Sequence, residues 1–366
     1  MSTAEKVEMH KSFWRGEGPC LVLMPPGLDM RQMWQEQIYD TGDYRERFYN
    51  PLQMWENEMA RAHAVLDWPT DGIATVRPNL GVIFVPTMAG QSYEIREGQM
   101  PWCGEALTAE QIRAVRDADV EQTELMKLAA EFYRIHRERG GSEVAAYQAD
   151  TQGIFDIAHL LYGDGIFMDI MDQGRHGWID ELLEICLDLM VRAVRCVKKC
   201  IGEGDTWMTH GHGTEQGVYF CDAGIRISED SPAMIGPAQI ERFVMPNIEK
   251  CVEPFGGIFM HYCGGHKYFF ERLCRCEGVR AIDLGNPERY DTRWLFEVCA
   301  KTNTVLYSRV AAEESETTGG DWQGYVKRLA GYVQKTGARC VLRPLVYPSD
   351  TEQCAAMQEL WHELTV

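Results

Sequence analysis

Short apolar runs alternate with longer stretches of helical period through most of this chain. Residues 82–85 (Val-Ile-Phe-Val) and 143–147 read as strands, with shorter candidates at 206–209 and 225–228. The C-terminal half repeats the pattern more plainly, with brief apolar runs at 258–262, 280–284, 304–308 and 340–345. Between them, at about 237–252, 266–277, 288–301 and 321–336, apolar residues recur every three or four positions, as in a helix with one buried face. Strands separated by helices of this length predict repeated βα units around a parallel sheet. Roughly eight strand candidates predict an α/β fold of the (β/α)8 TIM-barrel type. No Gly-x-Gly-x-x-Gly follows the first strands, as an open dinucleotide-binding sheet would require. Residues 1–80 mix turn signals with aromatic helical stretches such as 49–64. They read as an N-terminal extension packed on a barrel of residues 81–366, and the polar segment 313–320 reads as a barrel loop.

Composition and charge narrow the partners. The 366 residues are 45% hydrophobic and 25% charged with no low-complexity tract, the make-up of a globular protein. A net charge of −19 argues against nucleic acid and anionic membranes as partners. The charged N-terminus has no apolar signal core, and no window approaches the ~18 apolar residues of a membrane span. Thirteen cysteines, scattered and odd in number, do not form a secreted disulfide framework, so a reducing cytoplasm is the expected compartment.

In a barrel, reactive groups collect where strands end and their loops begin. Those ends carry Glu229 and Asp230, then His261 and Cys263, then Asp283 and Asn286, then Arg309, and finally Arg343. Imidazole and thiolate both ligate zinc, and residues two apart on a strand share a face, so His261 and Cys263 can aim at one centre. The plainer alternative is a buried histidine beside an inert cysteine. A zinc site needs at least a third protein ligand. Cys340 opens its strand and falls at the wrong end of a barrel, whereas Asp283 is a better-placed oxygen. His210 and His212, in Thr-His-Gly-His-Gly, form a second pair that suits a metal or an anionic substrate, or else a solvated glycine-rich loop. Cys196 and Cys200 share a helix face and read as packing residues. Cys274 and Cys276 carry no clear signal, and Trp102 and Cys103 read as loop.

The run SEDSPAMIGPAQIERFVMPNIEKCVEPFGGIFMHYCGG (228–265) resembles the core of the uroporphyrinogen decarboxylase superfamily. Its cues are the acidic strand end at Glu229 and Asp230, the Gly236-Pro237 turn, Phe243 and Pro246 in the next helix, and the His-x-Cys-Gly strand. Upstream, Gln152, Gly153 and Asp169 extend the likeness, and VLRPLVYPSDTEQCAAM resembles the last strand and helix, so about residues 78–362 are covered. The resemblance implies a (β/α)8 fold. True uroporphyrinogen decarboxylases carry an arginine-rich, glycine-containing motif near the N-terminus, which HKSFWRGEGPCLVLMPPG does not show. His-x-Cys-Gly belongs instead to the cobalamin-dependent methyltransferase branch. There the pair binds zinc with a more distant cysteine, and a thiol acceptor takes a methyl group from methylcobalamin on a corrinoid protein.

This chain has Val346 where relatives carry that distant cysteine. The resemblance thus implies a methyltransferase with zinc at His261 and Cys263, a corrinoid protein as partner, and a small thiol or folate-type methyl acceptor. Asp230 and Asp283 would serve beside His261 as catalytic groups, and His210, His212, Glu229, Asn286, Arg309 and Arg343 as substrate contacts. Two alternatives stay open: a metal-free decarboxylase or lyase acting on a polycarboxylate, and a non-catalytic corrinoid- or tetrapyrrole-binding protein.

Overall fold

The computed structural model describes residues 1–26, 44–96, 100–212, 214–311 and 320–366. The first five strands are β1 (Leu21–Val22), β2 (Ile73–Val76), β3 (Tyr93–Glu94), β4 (Trp102–Cys103) and β5 (Ala145–Ala146). β6 (Met208–His210), β7 (Gln216–Phe220), β8 (Ile225–Ser228) and β9 (Ile258–Tyr262) follow, and β10 (Val279–Leu284), β11 (Val305–Ser308) and β12 (Cys340–Leu342) end the series. One sheet has the order β1-β12-β11-β10-β9-β8 with every pair parallel, so all its C-terminal ends open on one edge. A second has the order β5-β2-β7-β6, with β2 parallel to β5 and β7 antiparallel to both neighbours. The sheets touch at both margins. Gln152, beyond β5, bridges Ser228 of β8, and the Asp71 N–H ahead of β2 donates to the Val22 carbonyl of β1 at 3.0 Å.

Burial on both faces explains why these strands read as unbroken apolar runs: every residue of β9 is buried. Phe259 of β9 stacks on Phe220 of β7 and meets Tyr307 of β11, with ring centroids 4.9 and 4.8 Å away. Helices fill the gaps between strands, and their ends follow local chemistry. Asp291, Asp321 and Asp350 accept backbone N–H groups at helix starts, while Gly256 and Gly337 take the left-handed conformation that ends the helices Met245–Phe255 and Trp322–Thr336. A π-helical turn (Ile240–Val244) precedes Pro246, whose missing N–H is accommodated by the wider turn.

The strands expected in the C-terminal half stand where their apolar runs lie. The strand expected at 82–85 does not form; a turn and a short helix, Phe84–Met88, occupy that run. Four apolar residues carry no periodicity to separate strand from helix, and Pro86 is tolerated in a first helical turn. Residues 1–80, read as an N-terminal extension, supply β1 and β2 to the two sheets. β7 was not expected, because its run opens on Gln-Gly rather than on apolar residues. Trp102 and Cys103 pair with Tyr93 and Glu94 as a small antiparallel ladder rather than a loop. Of the loop expected at 313–320, all but Gly320 lies outside the described residues.

The N-terminal helix Thr3–Trp14 is fastened by a buried histidine. His10 accepts the Tyr219 N–H on Nδ1 at 3.0 Å, and its Nε2–H donates to the Asp71 carbonyl at 2.9 Å. Both bonds fit the neutral ring, and full burial pushes its pKa from the usual 6.5 down to about 4. The unfolded chain therefore binds the extra proton first. His10's contribution is complete above pH ~6.5 and is lost as pH falls toward about 4, a swing of about 3 kcal/mol. His10→Gln is expected to flatten the pH dependence of the urea midpoint in that window; an unchanged slope would assign the acid sensitivity elsewhere.

Candidate active site

Parallel pairing brings β9 and β10 into register with Asp283 beside His261. One oxygen of Asp283 gathers three cationic or donor groups: His212 Nε2 at 2.9 Å, His261 Nδ1 at 3.0 Å and Arg343 Nη1 at 3.5 Å. Burial alone would raise this carboxyl, but the charge and hydrogen bond of His212, the His261 bond and Arg343 outweigh it and hold it well below the usual range. His212 reaches Asp283 from a backbone φ of 43°, a left-handed conformation few side chains adopt, and its ring lies 4.2 Å from that of His261. The His212 N–H donates to His210 Nδ1 at 3.0 Å. His210 itself is 2% exposed, edge-on to Tyr147 and Phe259, so it braces His212 from the core.

On the outer side of His261 the chemistry changes. Its Nε2 lies 3.5 Å from the Cys263 sulfur, and the Cys263 N–H donates to Asp230 Oδ1 at 2.6 Å. Ligand atoms of Asp230, His261 and Cys263 all lie within 4.8 Å of one another, as do those of His212, His261 and Asp283. Burial, with the negative charges of Asp230 and Asp283, pushes the Cys263 thiol up to about 12. Asn286 holds the following loop by accepting the Gly264 N–H at 2.9 Å, while its amide donates to Glu288.

Glu229 lies beneath this group, 1% exposed. Its carboxylate accepts the Phe155 and Asp156 N–H groups, each at 3.1 Å, at the start of the helix Ile154–Tyr162. A Cβ on Gly153 would come within 2.2 Å of that carboxyl group, so only glycine lets the helix approach. Asp156 reciprocates by accepting the Asp230 and Ser231 N–H groups at 2.7 and 2.8 Å. Burial and the Asp230 charge raise Asp156 to about 6, and burial with Asp156 raises Glu229. Glu229 thus supports the Asp230 turn through Asp156 rather than facing open space.

Arg309 and Arg343, at the ends of β11 and β12, line a narrow pocket with Leu23, Thr214, Glu215 and Gln216. Arg343 beside it, and then burial, lower the Arg309 pKa. Val346 is 1% exposed and offers no ligand atom. Cys340 starts β12 at the opposite end of the sheet, where its N–H meets the Cys20 sulfur. Cys196, Cys200, Cys274 and Cys276 pack in or against the core.

Sequence reasoning missed Asp150, which Arg226 and Arg77 flank at 2.6 and 3.8 Å. Burial would raise it, but Arg226 and Arg77 bring it down to about 2. The available signal was Arg226, a charge inside the apolar strand Ile-Arg-Ile. Asp156 and Glu215 gave none, because nothing local marks their partners.

No family model matches the sequence, and no curated protein resembles it significantly. Among solved structures, a methyltransferase from Methanosarcina mazei superposes with a TM-score of 0.66 over 96% of both chains at 16% identity. The two share a fold of α/β type. A B12-independent methionine synthase from a Shewanella strain, in complex with selenomethionine, gives a TM-score of 0.41 at 10% identity over 87% of this chain and 86% of that one, too low to argue from. Among the described residues no helix is long and apolar enough to cross a membrane.

Proposed function

We propose that the two sheets form one (β/α)8 ring and that the protein is a corrinoid-dependent methyltransferase of the uroporphyrinogen decarboxylase superfamily. It would move a methyl group from methylcobalamin on a partner corrinoid protein to a small thiol or folate-type acceptor in the cytoplasm. The observation that carries this is the convergence of His261, Cys263 and Asp230 beside the Asp283 hub.

The donor set fits zinc. His261 spends Nδ1–H on Asp283, which leaves the Nε2 lone pair facing the Cys263 sulfur, and Asp230 supplies oxygen where Val346 supplies nothing. Zinc held by these three would supply a Lewis-acid position that keeps an acceptor thiol deprotonated. Asp283, clamped by His212 and Arg343, fixes the His261 ring. Asp156 fixes Asp230 through its backbone. Arg309 and Arg343 hold the anionic end of the acceptor.

Zinc analysis of the purified protein, with demethylation of methylcobalamin in the presence of a thiol, tests the reading. About one zinc per chain and thiol-dependent demethylation are expected; a metal-free, inactive protein would remove it. Arg309, which makes no ion pair with another described residue, favours the second reading, a metal-free decarboxylase or lyase on a polycarboxylate. That reading requires turnover without zinc.

A further inference from the structure

The pocket at the ends of β1, β11 and β12 has an unusual charge pattern. Its polar neutral groups are already engaged. The Gln216 amide donates to the Met24 carbonyl at 2.9 Å and accepts the Thr70 hydroxyl at 2.7 Å, while the Thr214 hydroxyl donates to the Gly211 and Gln216 carbonyls. What remains is one carboxylate, Glu215, and two guanidinium groups, Arg309 and Arg343. Glu215 is 3% exposed and makes no ion pair with another described residue; the nearby Arg61 is paired with Glu58. Arg343 joins the pocket to the ligand cluster, since its guanidinium also reaches Asp283.

A purely anionic guest would meet the arginines but set its charge beside the desolvated Glu215, whose burial the nearby Arg61 and Arg343 offset only in part. Such an unpaired buried charge discriminates strongly against the wrong ligand. A guest with both a carboxylate and an ammonium satisfies all three groups. We infer that the pocket binds the zwitterionic head of an α-amino acid, its carboxylate on Arg309 and Arg343 and its ammonium on Glu215. The acceptor is then a thiol-bearing amino acid whose side chain extends past Asp283 toward His261 and Cys263. This identification of the acceptor rests on the methyl-transfer reading above.

Calorimetric titration under reducing conditions tests it with three probes: L-homocysteine, its des-amino analogue 4-mercaptobutanoate, and the thiol-free L-norvaline. L-homocysteine is expected to bind wild type at least about tenfold more tightly than 4-mercaptobutanoate, a charge-assisted hydrogen bond supplying that factor. Glu215→Gln should close the gap by weakening only the amino acids, and Arg309→Gln should weaken all three ligands. Equal or tighter binding of 4-mercaptobutanoate to wild type would overturn the proposal, and that comparison does not depend on any variant folding. The two readings fail separately. If Cys263→Ser weakens 4-mercaptobutanoate but the amino group brings no preference, the thiol site stands and the amino-acid pocket falls. If L-norvaline binding depends on Glu215 and Cys263→Ser changes nothing, the pocket stands and thiol activation falls.

Discussion

Cys263→Ser is expected to empty the zinc site and end thiol methylation while leaving the fold intact. Cys263 is an exposed residue whose sulfur meets the His261 Nε2 and the Asp230 carboxylate rather than apolar core, so the core loses nothing when the thiol becomes a hydroxyl. The backbone N–H that anchors the turn to Asp230 is untouched. Surface changes of this kind stay within about 0.5 kcal/mol of wild type. Zinc binding is different in scale. Loss of a mere outer partner of a metal ligand costs about 10–100-fold in affinity, and loss of a ligand itself should exceed that range. Chelator-treated wild type and the variant should then melt together, since bound metal adds stability only to the folded state that holds it. Elemental analysis and thermal melts check both halves. A variant that keeps wild-type zinc would take Cys263 out of the site.

How much of this was legible beforehand divides along sequence distance. The parallel strands β8 to β12 announce themselves because strands covered on both faces become continuous apolar runs, and the ends of those runs place Asp230, His261, Cys263, Asp283, Arg309 and Arg343 on one edge. What stayed hidden depends on partners far along the chain. His212 looks like half of a loop pair, yet only the fold shows that it crosses to Asp283 while His210 turns into the core. Glu229 sits at a strand end like its neighbour Asp230, but the helix starting at Ile154 claims its carboxylate. β2 failed to register because its four residues, Ile-Ala-Thr-Val, carry too little periodicity, and β7 because its run opens on Gln-Gly. With Val346 unable to ligate, the run ends pointed to Asp283 as the completing oxygen, and Asp230, the donor proposed in place of a second thiolate, became visible only through its proximity to His261 and Cys263.

Asp283→Ala is expected to be the most damaging single substitution at this centre. The carboxylate has a 3% exposed side chain and faces two imidazoles and the Arg343 guanidinium. Without it, Arg343 keeps its charge in a site that is itself mostly buried, with no ion-pair partner among the described residues. Stranding one member of a buried charge cluster costs about 3–5 kcal/mol. The loss reaches the proposed metal site by a second route, because the His261 ring is no longer held with Nε2 toward Cys263. Asp283→Asn separates the two effects. The amide preserves volume and can still accept one hydrogen bond, so it should recover part of the stability. Lacking the negative charge that makes the imidazole a better donor, it should still leave zinc affinity reduced by about 10–100-fold. Urea unfolding and zinc titration of both variants give the answer. If Asp283→Asn restored zinc affinity in full, Asp283 would serve only to hold His212 and Arg343 in place, and the orientation of His261 would have to come from the His212 ring packed against it.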